Sequence, residues 1–279
     1  MADIVIGYSA SHAPMMAADP GSAPPDMRER FFGALDRVRD RVAGAVEAVV
    51  MVSGEHFTNF FLDNLPQVAV GLGDTHATVN DAWLGLGPVT VPGHPDLAAA
   101  VLSGLVERGH LPALSYDLRL DHGFMTVYHH LSPETRLPVV PVIVNCTTPP
   151  LMTLRHAWDL GLALGDAVRA APGIGRVALV GCGGLSHFVG EPRVGDIDEA
   201  FDRWFLRMLE GGCPDELLDL PNDELMVAGN GTGEVRAWVM VAAAMGACAT
   251  TALAYEPIYE WINGMAVVLH EPAAVAAST

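Results

Sequence analysis

The chain alternates between short, continuously apolar runs and longer stretches in which apolar residues recur with a helical period. Most of the apolar runs lack regular polar positions, which is typical of strands covered on both faces by helices. The pattern therefore predicts an α/β fold with a mostly buried central sheet flanked by helices. Strands are predicted at residues 4–8, 48–52, 67–71, 114–116, 139–144, 177–180 and 265–269. Helices are predicted at residues 26–42, 95–108, 151–170, 196–210 and 234–246.

The size and the apolar content of the chain favour one large domain. Its 279 residues, 51% of them hydrophobic, are enough for a single substantial core, and no repeat or linker interrupts them. We therefore expect one domain over residues 1–279. Glycine and proline break every apolar stretch before it reaches the length of a membrane span, and the first residues lack the pattern of a signal peptide. A cytoplasmic protein without a membrane partner is the simplest expectation.

The charged residues exclude or disfavour several classes of protein function. The formal net charge of −18 disfavours nucleic acid as a partner. All 15 basic residues are arginine, which excludes the enzymes that need a lysine amine, such as pyridoxal phosphate enzymes, Schiff-base aldolases and Walker-loop nucleotidases. The four cysteines form no C-x-x-C pair, so we expect reduced, mostly buried thiols.

Four histidines occupy an unusual position in the pattern. His12, His56 and His187 each follow an apolar run within a few residues, and His122 lies shortly after the run at 114–116. In open α/β sheets, ligands bind outside the carboxyl ends of the strands. We therefore expect these four imidazoles to converge in one crevice.

A carboxylate would complete a metal site with two of these imidazoles. Two histidines and one carboxylate leave open positions for substrate and dioxygen, an arrangement that suits non-haem Fe(II). Glu234, Glu256 and Glu260 are the candidates. Glu234 also begins a predicted helix, where an acidic side chain has the alternative role of interacting with the helix dipole.

The chain resembles the class III extradiol ring-cleavage dioxygenases, the superfamily of the protocatechuate 4,5-dioxygenase catalytic subunit and of 2,3-dihydroxyphenylpropionate 1,2-dioxygenase. The resemblance runs nearly end to end. It is carried by the order and spacing of eight motifs: SHAP (11–14), EHFTNFF (55–61), PGHPDLA (92–98), LDHGF (120–124), GGLSH (183–187), NDEL (222–225), GEVRAW (233–238) and YEWINGMA (259–266).

The resemblance implies roles for particular residues. It places the Fe(II) ligands at His12, His56 and Glu234, the acid–base histidine at His187, and at His122 a second histidine that helps to bind substrate and dioxygen. The implied reaction inserts both atoms of O2 into a catechol and opens its ring, as in aromatic catabolism, with no organic cofactor. A homo-oligomer is expected, and a small accessory subunit is left open.

The substrate-binding expectations rest on two aromatic residues. Tyr259 matches the position at which the protocatechuate type carries a hydroxyl side chain for the ring carboxylate, and Phe57 is placed beside the substrate as well. The E-W-I-x-G pattern (260–264) is instead similar to the dihydroxyphenylpropionate type. We therefore expect either a ring without a carboxylate or a ring whose acid lies on a short side chain.

Some alternatives remain open at this point. Protocatechuate, gallate or aminophenol ring cleavage would use the same residues. Two histidines and a glutamate also form a catalytic zinc set, although the chain has no H-E-x-x-H helix, so a zinc hydrolase is a rival. A metal-free binding protein is another. Asp121 and Glu55 each precede an active-site histidine and are candidate acceptors for a ring N–H.

Overall fold

The structure, a computed structural model, describes residues 1–79, 82–134 and 136–273. In chain order its strands are β1 (Asp3–Ala10), β2 (Ala48–Gly54), β3 (Val68–Gly71), β4 (Thr75–Ala77), β5 (Thr90–Pro92), β6 (Ala113–Ser115), β7 (Val139–Val144), β8 (Arg176–Cys182), β9 (Cys248–Ile258) and β10 (Asn263–Pro272). Its helices are α1 (Pro14–Ala18), α2 (Pro25–Val42), α3 (Pro95–Glu107), α4 (His122–Leu131), α5 (Leu154–Ala170), α6 (Glu199–Glu210), α7 (Asp215–Leu218), α8 (Asn222–Leu225) and α9 (Val235–Met245).

Eight of these strands form one mixed sheet in the order β6-β3-β7-β2-β8-β1-β10-β9. The four central strands β7, β2, β8 and β1 are parallel to one another. β10 is antiparallel to β1, and β3 is antiparallel to β7. As a result, the carboxyl ends of the central strands and the first residues of β10 lie at the same edge of the sheet.

The core occupies both faces of this sheet. Every residue of β2 is buried. Val50 and Val52 pack in a cluster with α3, α5 and α9, whereas Val49 and Met51 pack on the other face with α2 and α4. The sheet is thus covered on both sides, as its continuously apolar strands predicted.

All seven strands and all five helices predicted from the sequence are present. Two helices begin later than the apolar pattern suggested, because a polar side chain caps each of them. Thr153 accepts from the backbone of His156 at 3.2 Å and starts α5, and Asp198 accepts from the backbone of Phe201 at 3.0 Å and starts α6. The capping residue lies outside the helix, which sets the boundary.

The pattern missed three strands, of which β9 is the longest. Its residues from Cys248 to Tyr255 are partly buried or exposed, because it forms an edge of the sheet. Such a strand has no continuous apolar run to mark it. The four cysteines are free thiols and three of them are buried, as expected. Within the described ranges, none of the helices has the length and apolar character that crossing a membrane requires.

Candidate metal centre and active-site cavity

Three of the four predicted histidines lie in loops that leave neighbouring strands at the same sheet edge. His12 follows β1, His56 follows β2 and His187 follows β8. β8 pairs with both β1 and β2, so the three loops are adjacent. This is the edge at which open α/β sheets bind their ligands.

Two helix starts bring further polar side chains to this edge. His122 is the first residue of α4, and Glu234 ends a short 3-10 turn that leads into α9. Glu234 fits closely against the loop after β8. A Cβ added at Gly183 would lie 2.8 Å from the Cβ of Glu234, so glycine is needed there for the two segments to approach.

The imidazoles and the carboxylate form a compact cluster. The ring centroids of His12 and His56 are 5.1 Å apart, and those of His56 and His122 are 4.4 Å apart. One nitrogen from each of these three rings lies within 4.8 Å of the other two. The carboxylate of Glu234 reaches two of them, with Oε1 at 3.0 Å from His56 Nε2 and Oε2 at 3.6 Å from His12 Nε2.

Burial and mutual charge determine the protonation of this cluster. Burial lowers the pKa of His12 to about 3, which keeps its imidazole neutral and able to bind a metal. Burial would raise the pKa of Glu234, but the surrounding histidines outweigh it and hold that pKa well below its usual value. Burial would likewise lower the pKa of His56, but Asp121 and Glu234 raise it well above the ordinary value. The centre therefore contains a buried carboxylate that is ionised over the whole physiological range.

Asp121 contacts His56, a residue 65 positions away in the sequence. Its Oδ2 accepts from His56 Nδ1 at 2.9 Å, and its Oδ1 accepts from the backbone of Gly123 at 2.9 Å and caps α4. Asp121 thus accepts from a ring N–H, as one candidate role from the sequence suggested, and the histidine that it orients is His56 from the other loop. The pKa of Asp121, which burial would raise, is lowered to about 2, first of all by His56.

The other acidic candidates lie elsewhere. Glu55 turns away from its neighbour His56, and its Oε1 accepts from the backbone amides of Thr58 and Asn59. Glu256 forms an ion pair with Arg30 on α2, and Glu260 is exposed. Of the three candidate carboxylates, the structure therefore brings Glu234 to the histidines.

His187 is buried beside the cluster, and its tautomer follows from its contacts. Its Nδ1 lies 2.9 Å from the carbonyl oxygen of Leu185. Because a carbonyl only accepts, Nδ1 carries the proton and Nε2 is the nitrogen that can take up another. A Cβ added at Gly231 would lie 2.0 Å from that Nε2, so this glycine leaves the space that the imidazole occupies.

A cavity of about 510 Å³ opens over the cluster and includes all five of its residues, His12, His56, His122, His187 and Glu234, in its wall. The remaining wall residues fall into two groups. The apolar ones are Ala13, Pro14, Phe57, Val189, Trp261 and Ile262, and the others are Glu55, Thr147, Thr148, Asn230, Gly231 and Asn263. Phe57 is thus part of the cavity wall, and its contact with substrate stays a prediction.

Tyr259 does not lie where it was expected. Its side chain is 51% exposed, and its hydroxyl donates to Glu199 Oε1 at 3.2 Å. A 3-10 turn over Tyr259–Trp261, followed by Ile262 at a φ of 53°, turns the chain so that Trp261 and not Tyr259 enters the cavity wall. Phe57 also has a positive φ, 55°, so two strained backbone positions adjoin the cavity.

The cavity wall also contains three residues that were not predicted from the sequence, namely Trp261, Ile262 and Asn263. Trp261 and Ile262 lie just before β10 and Asn263 begins it, and this end of β10 reaches the site because β10 runs antiparallel to β1. Asn263 also fixes a metal-site loop, because its Nδ2 donates to the carbonyl oxygen of His12 at 3.0 Å. The signal that could have pointed to them is their place inside the YEWINGMA motif.

An α/β sheet whose carboxyl edge gathers imidazoles and a carboxylate under a cavity is the framework of a metal-dependent enzyme. Comparison with known families gives the class. The model of the family described as the catalytic LigB subunit of aromatic ring-opening dioxygenase matches residues 7–267. The chain belongs to this family, so it is an oxidoreductase that opens aromatic rings with O2, and the family implies a metal cofactor.

Curated relatives cover nearly the whole chain. The 2,3-dihydroxyphenylpropionate/2,3-dihydroxicinnamic acid 1,2-dioxygenase of Photorhabdus laumondii is 29% identical over 94% of this chain and 96% of its own. The enzyme of the same name from Klebsiella pneumoniae is 28% identical over 91% of this chain and 94% of its own. Among solved structures, an uncharacterized protein of Escherichia coli K12 superposes with a TM-score of 0.63 at 16% identity, over 95% of this chain and 99% of that protein. That likeness concerns the fold alone.

Proposed function

We propose that the protein is a non-haem Fe(II)-dependent extradiol dioxygenase that cleaves the ring of a catechol, similar in type to the 2,3-dihydroxyphenylpropionate enzymes. The observation that carries this proposal is the carboxylate of Glu234, which lies between His12 and His56 in the wall of the cavity. The donor set fits the metal that the family implies.

We assign the metal ligands to His12, His56 and Glu234, with His122 beside them. The three clustered imidazoles are an alternative set. A buried carboxylate without a compensating positive charge is costly. A metal dication would supply that charge, so a ligand set that includes a carboxylate holds the dication better than one that does not. Glu234 is 3% exposed and lies against two imidazoles, which supports its inclusion.

The proposed reaction with O2 favours iron over zinc as the bound metal. Two imidazoles and one carboxylate leave open positions and are typical of non-haem Fe(II) oxygenases, whereas zinc has no redox chemistry to offer O2. When bound, Fe(II) would bind the catechol oxygens and supply the redox chemistry that dioxygen requires.

The residues of the chain then handle the ring and its protons. His187 Nε2 accepts the proton of a catechol hydroxyl and later donates it to the departing oxygen atom as the ring opens. His122, packed against His56, adds a second polar contact for the substrate. Phe57 and Trp261 give the aromatic ring an apolar wall and reduce the access of water.

Metal content and activity of two variants test the ligand assignment. Glu234→Gln keeps the shape of the side chain but removes its charge, and we expect it to lose bound iron and activity together, as His56→Ala should. His122→Gln serves as the matched control and should keep its iron while substrate binding and turnover both fall. Iron is measured by a chelator assay and activity by the absorbance of ring-opened product. If His122→Gln loses the metal and Glu234→Gln keeps it, the three-histidine set is the correct one.

The homo-oligomer expected from the sequence stays a prediction, and the need for a small accessory subunit stays open. Size-exclusion chromatography with light scattering measures the first. Full activity of the purified chain alone would exclude a requirement for the second.

A further inference from the structure

The charges in the cavity wall point to the kind of ring substituent that this enzyme accepts. Resting on the proposed function, we infer that the substituent carries no negative charge, unlike the propionate in the name of the relatives' substrate. An alkyl group or an uncharged polar group such as an amide fits the wall, and a carboxylate does not.

The cavity wall contains carboxylates but no arginine or lysine to pair with an acid away from the metal site. Glu55 and Glu234 both line it. No arginine lines it, all fifteen arginines lie in the described ranges, and the chain contains no lysine. Proteins that recognise a carboxylate on a small ligand typically use the bidentate fork of an arginine. With the chain at −18 overall, a second anionic group on the substrate would meet mainly repulsion outside the metal site.

Two buried polar atoms of the wall are hydrogen-bond acceptors. Glu55 Oε2 and Asn263 Oδ1 are both buried and have no protein partner within the described residues. Because the Nδ2 of Asn263 donates to the carbonyl oxygen of His12, the assignment of its free oxygen is fixed. Both atoms are closed off from the open cavity, so they add negative character beneath its wall and leave no donor there for a carboxylate, which only accepts.

Most of the side-chain hydrogen-bond donors in the cavity wall either already have a protein partner or carry no charge. Asn230 Nδ2 donates to the carbonyl oxygen of Val189 at 2.7 Å, and His187 Nδ1 donates to Leu185. The hydroxyls of Thr147 and Thr148 are neutral donors, which replace the hydration of a carboxylate less well than a cation does.

Binding of two nearly isosteric ligands tests the inference. The ligands are 3-(2,3-dihydroxyphenyl)propionate and the corresponding propionamide, titrated by calorimetry into the Fe(II)-loaded protein under anaerobic conditions. The amide should bind at least about tenfold more tightly, because the wall offers the carboxylate no charged partner. Equal or tighter binding of the acid would overturn the inference.

Two variants that each add one positive charge, one inside the cavity wall and one outside it, provide a second test. Val189 lines the cavity and is 56% exposed, whereas Val227 is 65% exposed and does not line it. Val189→Arg should shift the acid-to-amide affinity ratio toward the acid by about fivefold, the effect of one charge a few ångströms away in a solvated site. Val227→Arg adds the same charge and should leave the ratio unchanged. A shift of equal size in both variants would also overturn the inference.

Turnover separates this inference from the function on which it rests. If neither ligand nor unsubstituted catechol is opened by the iron-loaded protein in air, the proposed function fails. If rings are opened but the acid is bound and cleaved in preference to the amide, only the inference about the substituent fails.

Discussion

Replacing Asp121 with asparagine should weaken metal binding without unfolding the protein. Asp121 is 3% exposed and has two separate contacts, one to His56 Nδ1 and one to the backbone of Gly123, both at 2.9 Å. Asparagine caps a helix about as well as aspartate, so its oxygen can keep the contact to Gly123. Its NH2 group then faces His56 Nδ1, where an N–H already points outward.

The expected consequence is a change of tautomer at His56. His56 must give up one proton to bind the metal, and Asp121 keeps the remaining proton on Nδ1; opposite the asparagine NH2 group, the remaining proton instead favours Nε2, the nitrogen that lies 3.0 Å from Glu234 Oε1. Nε2 then has no lone pair for the metal. Loss of such a supporting carboxylate typically costs 10–100-fold in metal affinity, or about 1.4–2.7 kcal/mol.

Anaerobic Fe(II) titration against a competing chelator measures this effect. The control is Asp117→Asn, which removes an exposed carboxylate just before the same helix and should bind iron as the wild type does. Thermal unfolding of the metal-free proteins should differ little. If the amide instead turned its oxygen to His56, the helix cap would be lost, and stability would fall by about 1 kcal/mol while metal affinity stayed normal. That outcome would refute the reasoning.

The remaining predictions concern proton transfer and pH. His187→Gln should keep its iron while kcat falls by about 10²-fold, and Gly231→Ala, whose methyl would lie 2.0 Å from His187 Nε2, should show the same pattern; loss of iron in steady-state and metal assays would make His187 a ligand. Burial raises the pKa of Asp202 from 3.8 to about 7. The folded protein therefore binds this proton more tightly than the unfolded chain, and the free energy of unfolding should fall by up to roughly 4 kcal/mol as the pH rises from about 4 to about 7. Urea denaturation across this range should give a flatter profile for Asp202→Asn, and an unchanged profile would contradict the assignment.

The site residues that could be predicted from the sequence are those that come shortly after a predicted strand. His12, His56 and His187 each come after an apolar run, and parallel neighbours bring such loops to one edge. The contact between Asp121 and His56 could not be predicted in this way, because it joins residues 65 positions apart. Sequence neighbours were the natural guess for a supporting carboxylate, but Asp121 is oriented by its role as a helix cap.

The wall around substrate was harder to predict for a related reason. Which residues of the YEWINGMA segment face the cavity depends on a single left-handed residue, Ile262, after a short 3-10 turn. The turn directs Tyr259 outward to Glu199 and Trp261 inward. Residue types alone do not determine such a turn, so the hydroxyl of Tyr259 was assigned to the wrong surroundings.

The separation of the proposed ligands along the chain couples the metal to folding. His56 and Glu234 are 178 residues apart, and His12 follows a different strand from His56. An unfolded chain cannot gather them, so an ion held by all three would bind the folded state alone and act as a removable crosslink between two strand ends and a helix. At a free metal concentration of 100 times Kd, such a crosslink adds about 2.7 kcal/mol to the free energy of unfolding. Scarcity of iron would then reduce the lifetime of the enzyme against proteolysis, and not only its rate.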